Sequence, residues 1–286
     1  MTQRHDVTIV TYRGYPDLYP DDELLRDALV RRGATVRAAV WDDPGVDWSA
    51  GSIAVLRSTW DYFRTPETFF AWLDRVEPLT RLVNAPDVVR WNADKSYLLE
   101  LASQGFSVIP SALLRAGRSH SISALSSQRG WDDVVVKPAV SGASYETHRF
   151  TNDAPAAQRH ADRLLERGRD VVVQPYLREI EADGEYAIIF IDGRLTHAAR
   201  KLPFHGIPPD GVDHEARVEV PPEFEALAAR ILGRLDRPAY ARVDLVPTPA
   251  GPLLMELELI EPSLFLRLHP ESAERLADAV LQRVPQ

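Results

Sequence analysis

The chain has 286 residues, 45% of them hydrophobic, and a formal net charge of −9 from 33 Lys and Arg against 42 Asp and Glu. This length supports one large or two to three small domains with ample core, and the composition excludes a disordered chain. The absence of cysteine excludes disulfides, thiolate nucleophiles and iron–sulfur clusters. The acidic balance argues against a nucleic-acid partner. No apolar run is long enough to span a bilayer and the start is not typical of a secretion signal, so we expect a cytoplasmic protein without membrane contact.

The first 84 residues predict an open parallel α/β domain. Apolar runs at 7–11, 35–41 and 53–57 are typical of strands, and the spacing over 21–32 predicts a helix between the first two. Ligands bind beyond the carboxyl ends of strands in such sheets. The polar segment from Arg57 to Asp61 falls at this edge, which is therefore a candidate substrate surface.

From residue 85 onward the pattern changes to helices mixed with hairpins. One helix is predicted over 88–104, with Lys95 in its middle, and a strand is predicted around 108–110. Two β-branched runs, 132–136 and 170–173, predict buried strands. The remaining expected elements are helices over 154–167, 223–235 and 271–283, and hairpins formed by 186–191 with 194–200 and by 240–246 with 253–260.

The second of these hairpins predicts an acidic patch. Side chains alternate along a strand, so a turn centred near Ala250 places Asp244 opposite Glu256 and Arg242 opposite Glu258. Directly opposed like charges destabilise a sheet by roughly 0.2–1 kcal/mol. Hard cations such as Mg²⁺ take carboxylate oxygens and remove that penalty. The alternative is a solvated outer face; a metal site is favoured because an arginine shares the patch.

Lysine is rare in this chain. Only three of the 33 basic residues are Lys, namely Lys95, Lys137 and Lys201. Lysine is a compact point charge with three donors, whereas arginine is a rigid planar fork, so retained lysines indicate sites where the fork does not fit. Lys137 ends a buried strand beside the small-residue loop 139–144, where backbone amides are able to approach a phosphate. The alternative is an ordinary turn with lysines retained by chance.

Together these residues resemble the ATP-grasp superfamily, in the branch of glutathione synthetase, D-alanine–D-alanine ligase and the RimK-type ligases. The resemblance covers nearly the whole chain. Within the branch, 56–62 and 256–265 look most like ligases of natural-product (antibiotic) pathways, including cyclo-ligases that form D-cycloserine. The motifs that carry the resemblance are 91–95, 135–138, the small-residue loop, 174–177, 184–186, 242–244 and 256–258.

The fold that this resemblance implies is α/β and α+β. An N-terminal open parallel α/β domain, residues 1–84, binds substrate and precedes a two-subdomain ATP-grasp fold. Residues 85–174 form the central part with the small lid subdomain, and residues 175–286 form the C-terminal subdomain with the metal site. A further lid loop is implied over Pro203 to Arg217.

The resemblance also implies a role for each matching residue. Lys95 and Lys137 hold the α- and β-phosphates of ATP, Glu185 binds the ribose with Glu181 as a competitor, and Arg242 faces the acyl-phosphate and tetrahedral species. Lys201 or Arg200 meets the γ-phosphate. The phosphate loop comprises Ser141, Gly142, Ala143 and Ser144, the adenine hinge Gln174, Pro175, Tyr176 and Leu177, and the ligand set for two Mg²⁺ ions Asp244, Glu256 and Glu258. The last of these stands where the family commonly has Asn.

The activity implied is an ATP-dependent carboxylate–amine ligase that activates a small amino acid or derivative as an acyl phosphate. An amino-acid ligand needs a cation for its carboxylate and an anion for its ammonium, and on this ground the predicted substrate residues are Arg57, Ser58, Thr59, Asp61 and Ser263. An intramolecular cyclo-ligase uses the same machinery and stays open. So do a nucleotide-binding regulatory module without turnover and a small-molecule kinase. A homodimer is one option for the assembly, and the histidines, including His197 and His205 near the site, show no metal-ligand spacing.

Overall fold

The computed structural model describes residues 6–202 and 215–285. Its N-terminal sheet has the order β2-β1-β3-β4, and all its neighbouring strands are parallel. This confirms the predicted open parallel domain, and a second helix that the apolar spacing did not reveal covers the sheet. The elements are β1 Asp6–Thr11, α1 Pro20–Arg31, β2 Thr35–Val40, β3 Ile53–Leu56, α2 Pro66–Val76 and β4 Arg81–Val83.

The predicted helix over 88–104 is wrong, because the chain breaks at Lys95. Two helices are present instead, α3 Pro86–Ala93 and α4 Tyr97–Ser103. Asp94 is extended, and the backbone N–H of Lys95 donates to the carbonyl of Ala139 at 2.9 Å rather than to a helical carbonyl. The Asp94 carboxylate accepts from the N–H of Ser96 at 2.8 Å. The break lies beside the small-residue loop, and it directs Lys95 towards that loop.

A second sheet, antiparallel throughout, has the order β5-β8-β6-β7. Helices α5 and α6 pack on one face around Ile122, Trp131 and Leu164. The strand predicted around 108–110 is only a single bridge from Val108 to Leu254, and the strand itself lies four residues later. The elements are β5 Ala112–Leu114, α5 Ile122–Arg129, β6 Asp133–Pro138, β7 His148–Thr151, α6 Ala154–Glu166 and β8 Val171–Pro175.

A third sheet, also antiparallel, has the order β11-β10-β9-β12-β13 and contains both predicted hairpins. One face packs against α4 and α8, and the other against α1 and α9. The elements are α7 Glu179–Asp183, β9 Glu185–Ile191, β10 Arg194–Lys201, β11 Glu215–Val218, α8 Pro222–Leu232, β12 Tyr240–Val246, β13 Leu253–Glu258 and α9 Glu271–Leu281.

Buried polar groups join the N-terminal sheet to the third sheet. The Tyr240 hydroxyl lies 2.5 Å from the carbonyl of Leu56, 3.1 Å from that of Val83 and 2.9 Å from that of Ile260. The Asn84 amide donates to the carbonyl of Tyr240 at 2.9 Å and accepts from the N–H of Ala239 at 2.7 Å. The two sheets are therefore one packed unit. Over 6–202 and 215–285, no helix has the length and apolarity to cross a bilayer.

Candidate active site

A cavity of about 460 Å³ opens where the second and third sheets face the end of β3. It collects cationic, carboxylate and backbone groups that are distant in sequence. Predicted site residues in its lining are Lys95, Lys137, Ser141, Gly142, Ala143, Ser144, Gln174, Pro175, Tyr176, Leu177, Glu185, Arg242, Glu256, Glu258 and Ser263. Predicted residues outside the lining are Arg57, Ser58, Thr59, Asp61, Glu181, Arg200, Lys201 and Asp244.

The β12–β13 hairpin forms one wall, with the expected register. Asp244 lies opposite Glu256 and Arg242 opposite Glu258, and a bulge follows Asp244. The alternation predicted from the sequence is thus confirmed. Leu257 is buried in the core between the third sheet and α4, and both flanking glutamates line the cavity.

Two basic side chains neutralise the buried Asp244. Arg242 donates to it from Nε at 2.8 Å and from Nη2 at 2.8 Å, and Lys201 Nζ approaches it at 2.9 Å. Arg242 also contacts Glu258, and Lys201 lies 2.6 Å from Glu185. Burial opposes ionisation, but Arg242 and Lys201 nevertheless hold the pKa of Asp244 well below its ordinary value. Asp244 therefore orients two cations at the base of the cavity.

Lys95 and Lys137 supply positive charge beside the small-residue loop. Lys95 Nζ lies 3.0 Å from Glu256 and donates to the carbonyl of Ser141. Lys137 forms no ion pair within the described part of the chain, and burial lowers its pKa to about 8. Lys137 is thus a buried cation with no fixed anionic partner among the described residues, and an anionic ligand would relieve the cost of burying its charge.

The hairpin carboxylates have the donor chemistry for Mg²⁺. Within residues 6–202 and 215–285, no three Asp, Glu or His side chains are grouped to hold a metal. Mg²⁺ usually needs only one or two carboxylates together with substrate phosphates. Glu256 and Glu258 meet that requirement, because their side chains are 27% and 24% exposed to the cavity, whereas Asp244 is 1% exposed.

The segment predicted as the adenine hinge comprises the last two residues of β8 and the two residues after it, and it lines the cavity. The N–H of Tyr176 donates to the carbonyl of Asp133 at 2.8 Å, which ties the segment to the second sheet. The Gln174 amide donates to Ser111 Oγ at 2.9 Å. This bond orients the Gln174 side chain within the lining.

The two glutamates considered for ribose occupy different places. Glu181 lies on the exposed side of the hinge, 2.8 Å from Arg149 and accepting from the Tyr176 hydroxyl at 3.0 Å. Glu185 faces the cavity, where burial raises its pKa to about 8 despite the neighbouring Lys201. Only Glu185 is in the lining as the structure stands.

Residues of the N-terminal domain pack against the small-residue loop. A Cβ on Gly142 would lie 2.8 Å from the ring of Phe63, so only glycine fits this approach. Arg169 donates to the carbonyls of Phe63 at 2.8 Å and Arg64 at 2.7 Å and lies over the Tyr145 ring. Sequence reasoning missed Phe63, which carries no chemical signal by itself, although it lies two residues after the predicted substrate segment.

Arg57 and Ser58 do not face the cavity as predicted. Arg57 is buried in an ion pair with Asp22 at 2.9 Å and donates to the carbonyl of Pro262 at 2.9 Å, and the Ser58 hydroxyl also contacts Asp22. The anion that balances Arg57 therefore comes from α1 and not from a ligand. The prediction is wrong for Arg57 because a carboxylate 35 residues away in the chain already neutralises this guanidinium.

The other predicted substrate residues do not lie together in the structure. Thr59 is buried, and Asp61 accepts from the indole N–H of Trp41 at 2.7 Å, away from the main cavity. Ser263 lies in the lining, and its carbonyl accepts from Arg242 at 3.3 Å. Glu261, two residues earlier, also lines the cavity and was not predicted.

The end of β10 carries His197 and Arg200, and the predicted lid loop follows it in the chain. Arg200 donates to the carbonyls of Asp183 at 2.5 Å and Ala182 at 3.2 Å, so it supports α7 and does not reach the cavity. Most of the predicted lid loop, 203–214 with His205, lies outside the described residues. His197 belongs to β10 of the third sheet, where it is buried, and it does not line the cavity.

Comparisons with known proteins point to one family. A family model described as the N-terminal domain of D-cycloserine synthetase DcsG matches residues 7–84. The cycloserine biosynthesis protein DcsG of Streptomyces lavendulae is 35% identical, over 88% of this chain and 90% of that protein. The crystal structure of D-cycloserine synthetase DcsG is similar with a TM-score of 0.88 and 33% identity, covering 98% of this chain and 100% of that one. The ATP-grasp ligase PsnB, complexed with minimal precursor, Mg and ADP, shares the fold at a TM-score of 0.67 and 17% identity, covering 100% and 99%.

Proposed function

The chain belongs to the ATP-grasp ligases, in the family of D-cycloserine synthetase, and from this premise we propose that it activates the carboxyl group of a small amino acid. It is an ATP-dependent carboxylate–amine ligase that forms a carbon–nitrogen bond. The observation that carries the proposal is the cavity itself, where Lys95, Lys137 and Arg242 meet carboxylates of one hairpin.

The reaction has two steps. A substrate carboxylate oxygen attacks the γ-phosphorus of ATP, the bond to ADP breaks, and an acyl phosphate forms. An amine nitrogen then attacks the acyl carbon, loses a proton and expels phosphate, leaving an amide. No protein nucleophile is needed, which agrees with a chain that has no cysteine.

Different residues of the cavity stabilise the negative charge of the nucleotide and the negative charge of the acyl group. Lys95 and Lys137 hold the phosphates, with the small-residue loop offering backbone N–H groups. Arg242, fixed by Asp244 and Glu258, faces the charge that develops on the acyl oxygen. Because its planar fork is already held by two carboxylates, Arg242 needs little reorganisation during the reaction.

Solved structures with this fold contain ATP in a D-alanine–D-alanine ligase and Mg with ADP in PsnB. Bound Mg²⁺ neutralises charge on the phosphoryl oxygens, and Glu256 and Glu258 are the residues that would hold it here. In the present arrangement Asp244, the third carboxylate predicted as a ligand, positions Arg242 and Lys201.

Trapping of the acyl phosphate tests the proposal. The purified protein is incubated with ATP, Mg²⁺, hydroxylamine and a panel of D- and L-alanine, serine and 2,3-diaminopropionate, and we expect ADP together with a hydroxamate for at least one acid. Tight ATP binding without ADP release from any acid would instead identify a nucleotide-binding module without turnover. A stable phosphorylated product without hydroxamate would identify a kinase.

A ring-closing reaction is favoured by one finding, the likeness to D-cycloserine synthetase along nearly the whole chain. D-cycloserine holds its amide carbon and nitrogen in one ring. A cyclo-ligase reaction therefore joins two groups of the same molecule. With hydroxylamine omitted, a cyclo-ligase yields a product lighter than its substrate by one water and consumes no second amine, and mass spectrometry separates this outcome from intermolecular ligation.

A further inference from the structure

Glu261 differs from the other carboxylates that line the cavity. Glu185 is paired with Lys201, Glu256 with Lys95 and Glu258 with Arg242. Glu261 forms no ion pair with any residue that the structure describes, although it lies in the same wall. An anion at this position without a fixed cation is costly, and a cationic ligand group relieves that cost.

The backbone of this segment is held from the N-terminal domain. The indole N–H of Trp60 donates to the carbonyl of Glu261 at 2.8 Å, and Arg57 donates to the carbonyl of Pro262 at 2.9 Å. Arg57 is itself neutralised by Asp22, so it positions the chain without approaching the Glu261 carboxylate. The two contacts fix where the Glu261 side chain leaves the backbone.

The carboxylate of Glu261 lies in the cavity lining, beside the small-residue loop. Its Oε1 would be 3.6 Å from a Cβ on Gly142, in the small-residue loop. Two residues later, the carbonyl of Ser263 accepts from Arg242 at 3.3 Å. The Glu261 side chain therefore approaches the small-residue loop, and its backbone lies two residues from the carbonyl that Arg242 contacts.

We propose that Glu261 binds the α-ammonium group of the amino-acid substrate and selects acids that carry an amine next to the reacting carboxyl. The inference rests on the proposed function, in which the acyl carbon lies against Arg242. An α-ammonium nitrogen is only two bonds from that carbon, so both groups fall within this corner of the cavity. Because the site contains a carboxylate that such an amine satisfies, an acid without the amine leaves it unpaired and binds poorly.

Paired substrates test the inference. The hydroxamate assay is run with each amino acid of the panel and with its analogue lacking the α-amine: propionate, 3-hydroxypropionate or 3-aminopropionate. We expect Glu261→Gln to raise KM for the amino acid roughly 10- to 100-fold, the loss typical of a hydrogen bond to a charged group. KM for the analogue should be unchanged, so the preference of the wild type shrinks by the same factor.

Glu223→Gln, the same change at an exposed position in the first turn of α8, is the matched control and should retain wild-type preference. Glu261→Asp should retain part of this preference, and thermal melting with and without ADP establishes that each variant folds and binds nucleotide.

Equal losses for acid and analogue, or a wild type that uses both equally well, would overturn the assignment while leaving the ligase intact. A raised Mg²⁺ requirement with unchanged preference would overturn it in favour of a metal ligand. A wild type that activates no carboxylate would refute the proposed function, and this inference with it.

Discussion

At the scale of single residues, the basic side chains in and beside the cavity differ in whether they have an anionic partner in the protein. Lys201 and Arg242 share Asp244, which is buried between them, so their positions are set by the protein. Burial opposes the charge of Lys201, yet Asp244 and Glu185 raise its pKa above the ordinary value. Lys137 has no such partner among the described residues, and burial lowers its pKa to about 8. Lys137 is consequently free to pair with an incoming phosphate, whereas Lys201 is committed to the structure.

His197 makes the stability of the fold dependent on pH. Its Nε2 lies 2.9 Å from the carbonyl of Leu264, and burial, with a contribution from the stacked His269, lowers the pKa of His197 to about 4 from 6.5. Between these values the unfolded chain takes up a proton that the folded chain does not. The free energy of unfolding should therefore fall as pH drops from 6.5 towards 4, by at most about 3 kcal/mol.

Urea unfolding at a series of pH values measures this slope. His197→Gln should reduce this slope, because position 197 no longer carries an imidazole, whereas His120→Gln, at a partly exposed position, should leave it unchanged. An equal slope in wild type and His197→Gln would show that other groups control acid unfolding.

At the scale of elements, strands carry Lys137, Arg242 and the hairpin carboxylates, whereas a helix break and a loop place Lys95 and Gly142. The interruption between α3 and α4 exists because Lys95 bonds to Ala139 across the fold. The small-residue loop stays against Phe63 because Gly142 has no side chain. The first contact joins Lys95 to Ala139, and the second joins the small-residue loop to the N-terminal domain. The predicted nucleotide-binding and substrate-binding surfaces are therefore held together by contacts of the backbone.

Gly142→Ala should displace the small-residue loop, since the added Cβ would lie 2.8 Å from the Phe63 ring. We expect KM for ATP to rise by about tenfold or more, because a displacement of about 1 Å in a positioned group costs catalysis heavily. Phe63→Leu in the same chain should restore part of the loss by removing the ring atoms that clash. Gly45→Ala, in an exposed turn, serves as the matched control, and unchanged ATP kinetics in Gly142→Ala would show that the loop does not hold phosphate.

At the scale of the whole molecule, the N-terminal sheet and the third sheet share one core. Residues of α1, β1 and β3 pack in one cluster with residues of β9 and α9. Arg31 of α1 and Arg32 directly after it also pair with Glu274 of α9 at the surface, and such exposed pairs contribute little. The buried hydroxyl of Tyr240, which faces three carbonyls of different segments, is the polar centre of the junction.

Tyr240→Phe should lower the free energy of unfolding by about 1–3 kcal/mol, because buried carbonyls lose their donor. Since both sheets share a core, fluorescence and circular dichroism should report a single coincident transition in wild type. Tyr15→Phe removes a hydroxyl from a side chain that is 37% exposed and should have no measurable effect. Two separate transitions in the wild type would contradict a shared core.

The sequence by itself determined the features that depend on neighbouring residues. Alternation along a strand and the length of one turn were enough to place Asp244 opposite Glu256, and the register is confirmed. Motif spacing was enough to identify the family, and the rarity of lysine directed attention to Lys95 and Lys137, which both line the cavity. Local periodicity and chemical type carry this information within a few residues of each site.

Only the tertiary structure decided which charged groups are already satisfied. The partner of Arg57 is Asp22 on α1, so this arginine positions a backbone segment although its place at a strand end is typical of a ligand site. The helix break at Lys95 likewise depends on Ala139, which is distant in sequence. Among the described carboxylates of the cavity lining, Glu261 alone lacks an ion pair, and only the folded structure reveals this difference. Ion pairing depends on distances through space, and one sequence does not specify those distances until its sheets have packed.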